Sequence, residues 1–176
     1  MIENEYLIFA GGLPVADGLW APWRMEYILG PKADACIFCL PQSDEEDNER
    51  LVLYRGRRAF VILNRYPYAC GHLMIAPKRH VRDYCDLQAE EYSELFLLSQ
   101  RCVAVLSRHC SPHGFNLGFN LGSAGGAGIA DHLHYHVVPR WNGDTSFMAV
   151  LAETRMLSQH LGETYVQLKP HFDSFS

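Results

Sequence analysis

The chain has 176 residues, of which 48% are hydrophobic, and this content can build the core of one domain. Its formal net charge of -5 argues against broad nucleic-acid binding, which needs clustered cations, and no segment approaches the roughly 20 apolar residues of a membrane span. The N-terminus lacks a cationic signal sequence and the six cysteines are irregularly spaced, so we expect a cytoplasmic protein with neither a nucleic-acid nor a membrane partner.

Residues 1–35 have the composition of a loop and are predicted to form an N-terminal arm. Trp20, Pro22 and Trp23 suggest that this arm packs its rings on the domain or on a second subunit, although a plain extension of the core is an equal alternative. The acidic stretch from Asp44 to Glu49 is predicted to be a solvated loop without a function.

Three β-like runs follow, at residues 51–54, 59–63 and 72–76. A turn containing Pro67 and Gly71 separates the second run from the third. This arrangement predicts a meander of antiparallel strands.

The hydrophobic period then changes to that of a helix. Apolar residues recur at spacings of three and four, at Leu95, Leu98, Cys102, Val105 and Leu106. Asp86 is placed to cap the start, and the pattern ends near His109. One amphipathic helix is therefore predicted between these two residues.

Strand-like alternation returns in "GFNLGFNLG". Asn116 and Asn120 fall on one face of this strand, and the apolar residues Phe115, Leu117, Phe119 and Leu121 fall on the other. A glycine-rich link at residues 122–130 then leads into "DHLHYHVVPRW".

The last segment places His132, His134 and His136 at two-residue spacing, which puts all three rings on one face of a β-strand. Pro139 is expected to end the hydrogen bonding of this strand with its neighbours. Three buried imidazoles need partners, so a purely structural role is the weaker interpretation. Three histidines at this spacing serve either as a metal cage or as a nucleophilic imidazole flanked by two others. The preceding glycines favour the second role, because their backbone amides can approach a phosphate closely.

The chain resembles the histidine triad superfamily, in its dinucleoside polyphosphate phosphorylase or hydrolase branch. Three segments carry the resemblance: "HLHYHVV", "ILNRYPYACGHLMIAPKRH" and "VVPRWNGDTSFM". The resemblance covers residues 36–150, which we interpret as the domain, with residues 151–176 as a C-terminal extension. It implies an α+β fold with an antiparallel sheet, one long helix packed on it and the N-terminal arm. A homodimer formed through the helix and a sheet edge is expected, with a tetramer as the alternative.

In this family the middle histidine attacks the α-phosphorus of a nucleotide, which implies that His134 is the nucleophile and that His136 contacts the phosphate and the leaving oxygen. The resemblance places Asn64 at the ribose, Asn120 near the α-phosphate with Asn116 as a weaker candidate, and Trp141 on the leaving-nucleotide side. A turn residue at Asn64 and an ordinary packed tryptophan at Trp141 are the alternatives.

One departure from the family pattern concerns the glycine link. Many members carry Gln followed by Ser or Thr where this chain has Gly128 and Ile129. Backbone amides from Gly126 to Gly128, together with Ser123, would then have to bind the phosphates. Similar loops in the phosphorylase branch favour phosphate as the acceptor.

Cys36 and Cys39 have the spacing of a metal knuckle but lack a second cysteine pair. The family's zinc-bearing members complete the site with two histidines, which implies a closed structural zinc site made of these cysteines with His80 and His132. A redox pair and simple reduced thiols are the alternatives.

The sequence therefore predicts a nucleotidyl transferase or hydrolase that cleaves dinucleoside polyphosphates, as a diadenosine tetraphosphate phosphorylase, through a nucleotidyl-histidine. Alternatives are a nucleoside phosphoramidase, a hydrolase using water, a three-histidine zinc hydrolase and a nucleotide sensor without turnover. His72 is given no catalytic role beyond a supporting hydrogen bond.

Overall fold

The computed structural model of the protein describes residues 36–144 and 160–175. The predicted N-terminal arm lies outside these residues. The elements in chain order are α1 (Asp47–Arg50), β1 (Val52–Arg55), β2 (Ala59–Leu63), β3 (Leu73–Pro77), a 3-10 helix (Tyr84–Asp86), α2 (Ala89–Cys110), β4 (Gly114–Phe119), β5 (Tyr135–Arg140) and α3 (Leu161–Asp173).

The five strands form one sheet in the order β1-β2-β3-β5-β4, and every neighbouring pair is antiparallel. The predicted meander is confirmed as β1, β2 and β3; β2 has the predicted bounds, and β1 and β3 each begin and end one residue later than predicted. β5 enters between β3 and β4, so that Met74 of β3 lies opposite His136. The expected α+β architecture is confirmed.

Each face of the sheet has its own apolar cluster. One face packs against α2 and α3, which contribute Leu95, Leu98, Cys102, Leu106, Leu168 and Phe172. The opposite face carries a smaller cluster of Phe38, Val52, Phe60, Ile62, Met74 and Ala76. Tyr135 and Val137 of β5 belong to the helix-side core, so the histidine side chains alternate onto the face that carries Phe38.

Residues 160–175 contribute to the main core. Tyr165, Leu168 and Phe172 of α3 are buried there, and the Tyr165 hydroxyl donates to the backbone carbonyl of Val52 at 3.1 Å. The boundaries of the domain and its extension, at residues 36, 150 and 151, stay predictions.

The start of α2 differs from the prediction. Gln88 caps this helix in a reciprocal capping box with Glu91, whose carboxylate accepts the Gln88 backbone N–H at 3.0 Å. Asp86 instead ends the 3-10 helix, which Asp83 caps by accepting the N–H of Cys85. The predicted cap at Asp86 is therefore wrong, because an extra helical turn lies between the loop and α2.

The acidic stretch is also more ordered than predicted. Its second half enters α1, and the Asp47 carboxylate binds the Arg55 guanidinium through both oxygens. The predicted loop is thus wrong for residues 47–49, which are helical and held near β1 by Arg55, whereas the predicted solvent exposure holds for Asn48 and Glu49.

Pro139 does not end the ladder of β5. The strand begins only at Tyr135 and runs through Pro139, which lies opposite Phe115 of β4. β3 pairs with β5 only as far as Val137, so Pro139 has a neighbouring strand on one side alone. A proline is tolerated at such an edge position, which explains the failed prediction.

Candidate active site

The three triad histidines lie at the start of β5 and are almost fully enclosed. His132 and His134 precede the strand, His136 lies inside it, and their exposures are 0%, 6% and 8%. The ring centroids of His134 and His136 are 4.9 Å apart. The geometry therefore joins the two predicted catalytic residues in one site.

His134 has a defined tautomer. Its Nδ1 lies 2.9 Å from the backbone carbonyl of His132, which can only accept, so Nδ1 carries the proton. Burial lowers the pKa of His134, an effect that this hydrogen bond partly offsets. A neutral ring at pH 7 follows, with the lone pair on Nε2. This is the form in which an imidazole is nucleophilic.

His136 receives its orientation from His72, which is fully buried on the turn before β3. The Nδ1 of His72 accepts from the backbone N–H of Tyr68 at 3.1 Å and from the Asn64 amide at 3.2 Å. Its Nε2 must then carry the proton, and it donates to His136 Nδ1 at 2.9 Å. Burial, followed by the nearby His134, lowers the pKa of His136 to about 4. Neutral His136 therefore presents a protonated Nε2.

The four predicted metal ligands converge at the other end of the triad. Cys36 Sγ is 3.3 Å and Cys39 Sγ is 3.8 Å from His132 Nδ1, while Cys39 Sγ is 3.2 Å from His80 Nδ1. A tetrahedral zinc ion with ordinary bond lengths separates its sulfur and nitrogen ligands by about 3.6 Å. The Cys2His2 donor set and these distances fit zinc.

Two further details support this fit. His132 Nε2 donates to the carbonyl of Pro77 at 2.9 Å, which leaves the Nδ1 lone pair for a metal. Burial, followed by the neighbouring Cys36, raises the pKa of Cys39, so a cation would relieve an unfavourable thiolate environment. By contrast, the Nδ1 atoms of the triad face three different partners, which disfavours a three-histidine cage.

The predicted nucleotide-binding asparagines lie in different surroundings. The Asn120 amide is 3.5 Å from His136 Nε2, at the edge of the site. Asn64 lies behind His72, because its amide group bonds that ring and its carbonyl oxygen accepts the Tyr66 N–H at 2.9 Å. Asn116 is exposed and accepts from the guanidinium of Arg140. Only Asn120 therefore contacts a catalytic candidate.

The glycine link lies beside the site, whereas Trp141 follows the opposite end of β5 from the triad. The indole of Trp141 donates to the carbonyl of Cys110 at 3.3 Å, at the end of α2. In the link, the N–H of Gly126 donates to the carbonyl of Ser123 at 3.0 Å, and Gly126 has a φ of +80°. A cavity of about 320 Å³ opens beside the link, with Asn120 and His132 in its wall.

The sequence profile of the HIT domain family matches residues 45–143. The chain belongs to the HIT domain family. The matched residues include β1 through β5 and the triad, so the HIT domain supplies the sheet and the catalytic candidates, whereas Cys36, Phe38 and Cys39 precede the match.

Curated relatives of this HIT domain include enzymes. A protein named AP-4-A phosphorylase from Mycobacterium tuberculosis is 37% identical, and the alignment covers 92% of this chain and 88% of that protein. A bis(5'-adenosyl)-triphosphatase from Dictyostelium discoideum is 30% identical, with 51% of this chain and 59% of that protein covered.

Solved structures share the fold. A zinc-bound histidine triad family protein from Mycobacterium smegmatis is 26% identical with a TM-score of 0.61, covering 79% of this chain and 94% of its own. Plasmodium falciparum diadenosine triphosphate hydrolase, solved with cyclomarin A, is 20% identical with a TM-score of 0.59. The alignment covers 86% of this chain and 96% of the hydrolase. The HIT-like fold is thereby confirmed.

Sequence reasoning missed two contributors to this HIT site, Tyr68 and Phe38. The Tyr68 ring lies 4.7 Å from His72 and 5.9 Å from His136, and the Phe38 ring stacks on His134 at 4.7 Å. The one available signal for Phe38 was an apolar residue inside the "CIFC" turn, which local spacing alone cannot connect to a histidine 96 residues away.

Proposed function

We propose that this protein cleaves dinucleoside polyphosphates, with diadenosine tetraphosphate as substrate, through a nucleotidyl intermediate on His134 and with phosphate as acceptor. The proposal depends mainly on the neutral imidazole of His134, whose protonated Nδ1 donates to the His132 carbonyl. The relative named AP-4-A phosphorylase supports the choice of substrate and acceptor.

In the first step, the lone pair of His134 Nε2 attacks the α-phosphorus and the bond to the bridging oxygen breaks. That oxygen leaves with the electron pair as an anionic phosphate of ATP, while AMP stays on the ring. The positive charge that the ring gains is stabilised by the Nδ1–H bond to the His132 carbonyl. The Nε2–H of His136 donates a hydrogen bond to the oxygens that gain charge.

In the second step, an oxygen of inorganic phosphate attacks the same phosphorus. The P–N bond breaks, its electrons return to His134 Nε2, and ADP is released. Splitting the displacement in two lets a leaving group depart before the acceptor enters.

The acceptor is tested by incubating the protein with diadenosine tetraphosphate in the presence and absence of phosphate. ADP and ATP are expected together, and only when phosphate is present. AMP and ATP formed equally without phosphate would show that water is the acceptor, and no product in either case would contradict the proposed function.

The nucleotide is proposed to contact residues from β4, the glycine link and the ends of two strands. Asn120 would bind the α-phosphate, beside His136, and the glycine link would contribute Ser123, Gly126 and Gly128. We also propose nucleotide contacts at Asn116, Asn64 and Trp141. Asn64 has a second role, because its hydrogen bonds to His72 and to the Tyr66 N–H hold the His72 ring in place.

We also propose that Cys36, Cys39, His80 and His132 hold zinc, supported by their distances and by the zinc-bound structural neighbour. The ion would be structural, because four protein ligands close its coordination sphere. His132 would then be braced through its side chain while its carbonyl orients His134.

The proposed homodimer would use an aromatic surface on α2 and β4. Tyr92, Phe96 and Leu97 of α2 and Leu117 of β4 are exposed there, and β4 is an edge strand. Exposed apolar patches of this kind mark interaction sites. No described helix has the length and apolarity to cross a membrane, and the cytoplasmic location stays a prediction.

Leu97→Glu is expected to convert a dimer into a monomer, because it places a charge on the most exposed apolar residue of that surface. Sedimentation velocity measures the change. Val166→Glu is the matched control, since Val166 is also highly exposed but lies on α3. A monomeric wild type, or a Leu97→Glu variant that stays dimeric, would contradict this interface.

His72→Leu is expected to lower kcat by about 10- to 100-fold, because His136 loses the donor that fixes its tautomer. His72→Gln should lose less, since its amide can still donate to His136 Nδ1. Steady-state kinetics at saturating substrate check this order, with circular dichroism confirming the fold. Equal turnover of His72→Leu and wild type would show that the hydrogen bond has no part in the reaction.

A further inference from the structure

Phe38 occupies an unusual position in the turn between the two cysteines. The turn closes through the N–H of Cys39, which donates to the carbonyl of Cys36 at 3.1 Å. Ile37 is 43% exposed, whereas the adjacent Phe38 is fully buried. The turn therefore directs one specific side chain into the protein.

The buried ring of Phe38 ends against the triad. Its centroid lies 4.7 Å from that of His134, and the two planes are inclined by only 29°. His136 contacts His134 from another direction, with centroids 4.9 Å apart and planes at 69°. The imidazole of His134 is thus held between the face of one ring and the edge of another.

A ring contact of this kind meets a need that the backbone hydrogen bond does not. The Nδ1–H bond to the His132 carbonyl directs one edge of the His134 ring, but a single bond tolerates considerable tilt about its own axis. The reacting Nε2 lies on the far side of the ring, where a tilt moves it most. Nucleophilic attack requires an aligned lone pair, and small misplacements cost large factors in rate.

We propose that Phe38 is a positioning residue for the nucleophile: the Cys36–Cys39 turn holds its ring face against His134 and thereby fixes the direction of the Nε2 lone pair. This inference rests on the proposed role of His134. It gives the turn a purpose in the reaction beyond binding a metal.

The test compares Phe38→Leu with Phe60→Leu. Phe60 belongs to the same apolar cluster and is also fully buried, and its centroid is 6.5 Å from that of Phe38. Phe38→Leu should lower kcat and the single-turnover rate of nucleotidyl transfer by about 10-fold or more, with KM within about twofold of wild type. Phe60→Leu should change both by less than about twofold, whatever its effect on stability.

A ring-bearing variant separates positioning from folding. Phe38→Tyr keeps the aromatic face and should retain most of the rate that Phe38→Leu loses. Equal losses in Phe38→Tyr and Phe38→Leu would overturn the proposal, as would a raised KM at unchanged kcat, which would make Phe38 a substrate contact. Equal rates in Phe38→Leu and Phe60→Leu would overturn it too.

A measurement without substrate keeps this test independent of the proposed function. Long-range proton–nitrogen NMR spectra at neutral pH should show the Nδ1–H tautomer of His134 in wild type and in Phe60→Leu. Phe38→Leu should keep this tautomer, because the His132 carbonyl is unchanged, but its His134 ring signals should broaden as the ring gains freedom to tilt. His134 signals as narrow as those of wild type would contradict the proposal. If wild type gives this signal but does not cleave diadenosine tetraphosphate, the proposed function fails while the ring contact stands.

Discussion

Replacing His134 with Asn is expected to abolish turnover, lowering kcat by several orders of magnitude while nucleotide binding largely survives. The reason is chemical, since no other described side chain presents a neutral Nε2 at this position and a nucleophile has no substitute. Steady-state kinetics and calorimetric binding measure the two effects separately. Near-normal turnover of His134→Asn would require the two-step mechanism to be abandoned.

His136→Ala is the graded comparison for this experiment. It removes one charge-stabilising donor, which typically costs about 10²- to 10³-fold, and so should reduce kcat less than His134→Asn does. The intermediate should also be detectable in wild type. A reaction quenched in base, where the P–N bond is durable, should leave a nucleotide on the peptide that contains His134.

Stereochemistry offers an independent check of the same mechanism. Two successive in-line displacements at the α-phosphorus give net retention, because each one inverts the configuration. A chiral phosphorothioate substrate reports the outcome. A single net inversion would mean that phosphate or water attacks the substrate directly.

The second large effect is expected at the Cys2His2 cluster. Cys36→Ser should lose zinc and lower Tm by about 10 °C, because metal binding is coupled to folding and each kcal/mol lost shifts Tm by a few degrees at this chain length. Elemental analysis and thermal denaturation measure both quantities. Chelation of wild type should bring its Tm down towards that of the variant.

Cys85→Ser provides the control, since Cys85 is exposed and lies outside the cluster. It should keep both zinc content and Tm. Full metal occupancy in Cys36→Ser would contradict the proposed ligand set, and a wild type that binds no zinc would favour reduced thiols.

The histidine ladder and the Cys2His2 cluster were predictable from sequence, for physical reasons. The two-residue spacing fixes on which face each ring lies, and the resemblance joined the cysteines to His80 and His132. The structure brings all four side chains together. The strands and α2 were predictable because their apolar periods differ.

Features that depend on which neighbour a residue contacts were not predictable. The cap of α2 moved from Asp86 to Gln88 because a 3-10 turn intervenes, and Pro139 is tolerated only because β3 pairs no further than Val137. Asn64 fits a ribose contact by pattern, yet its amide is engaged with His72. The outcome at Pro139 depends on a distant strand, whereas those at Gln88 and Asn64 depend on which of several nearby partners forms the hydrogen bond.

The position of β5 between β3 and β4 has a consequence for folding. The hydrogen bond between His72 and His136 joins residues 64 positions apart, so the site forms only when a large loop closes, whereas α2 can form from local contacts. During refolding, helical signal should therefore return before catalytic competence. A HIT chain that has collapsed but has not yet inserted its last strand would carry the nucleophile without the machinery that orients its partner.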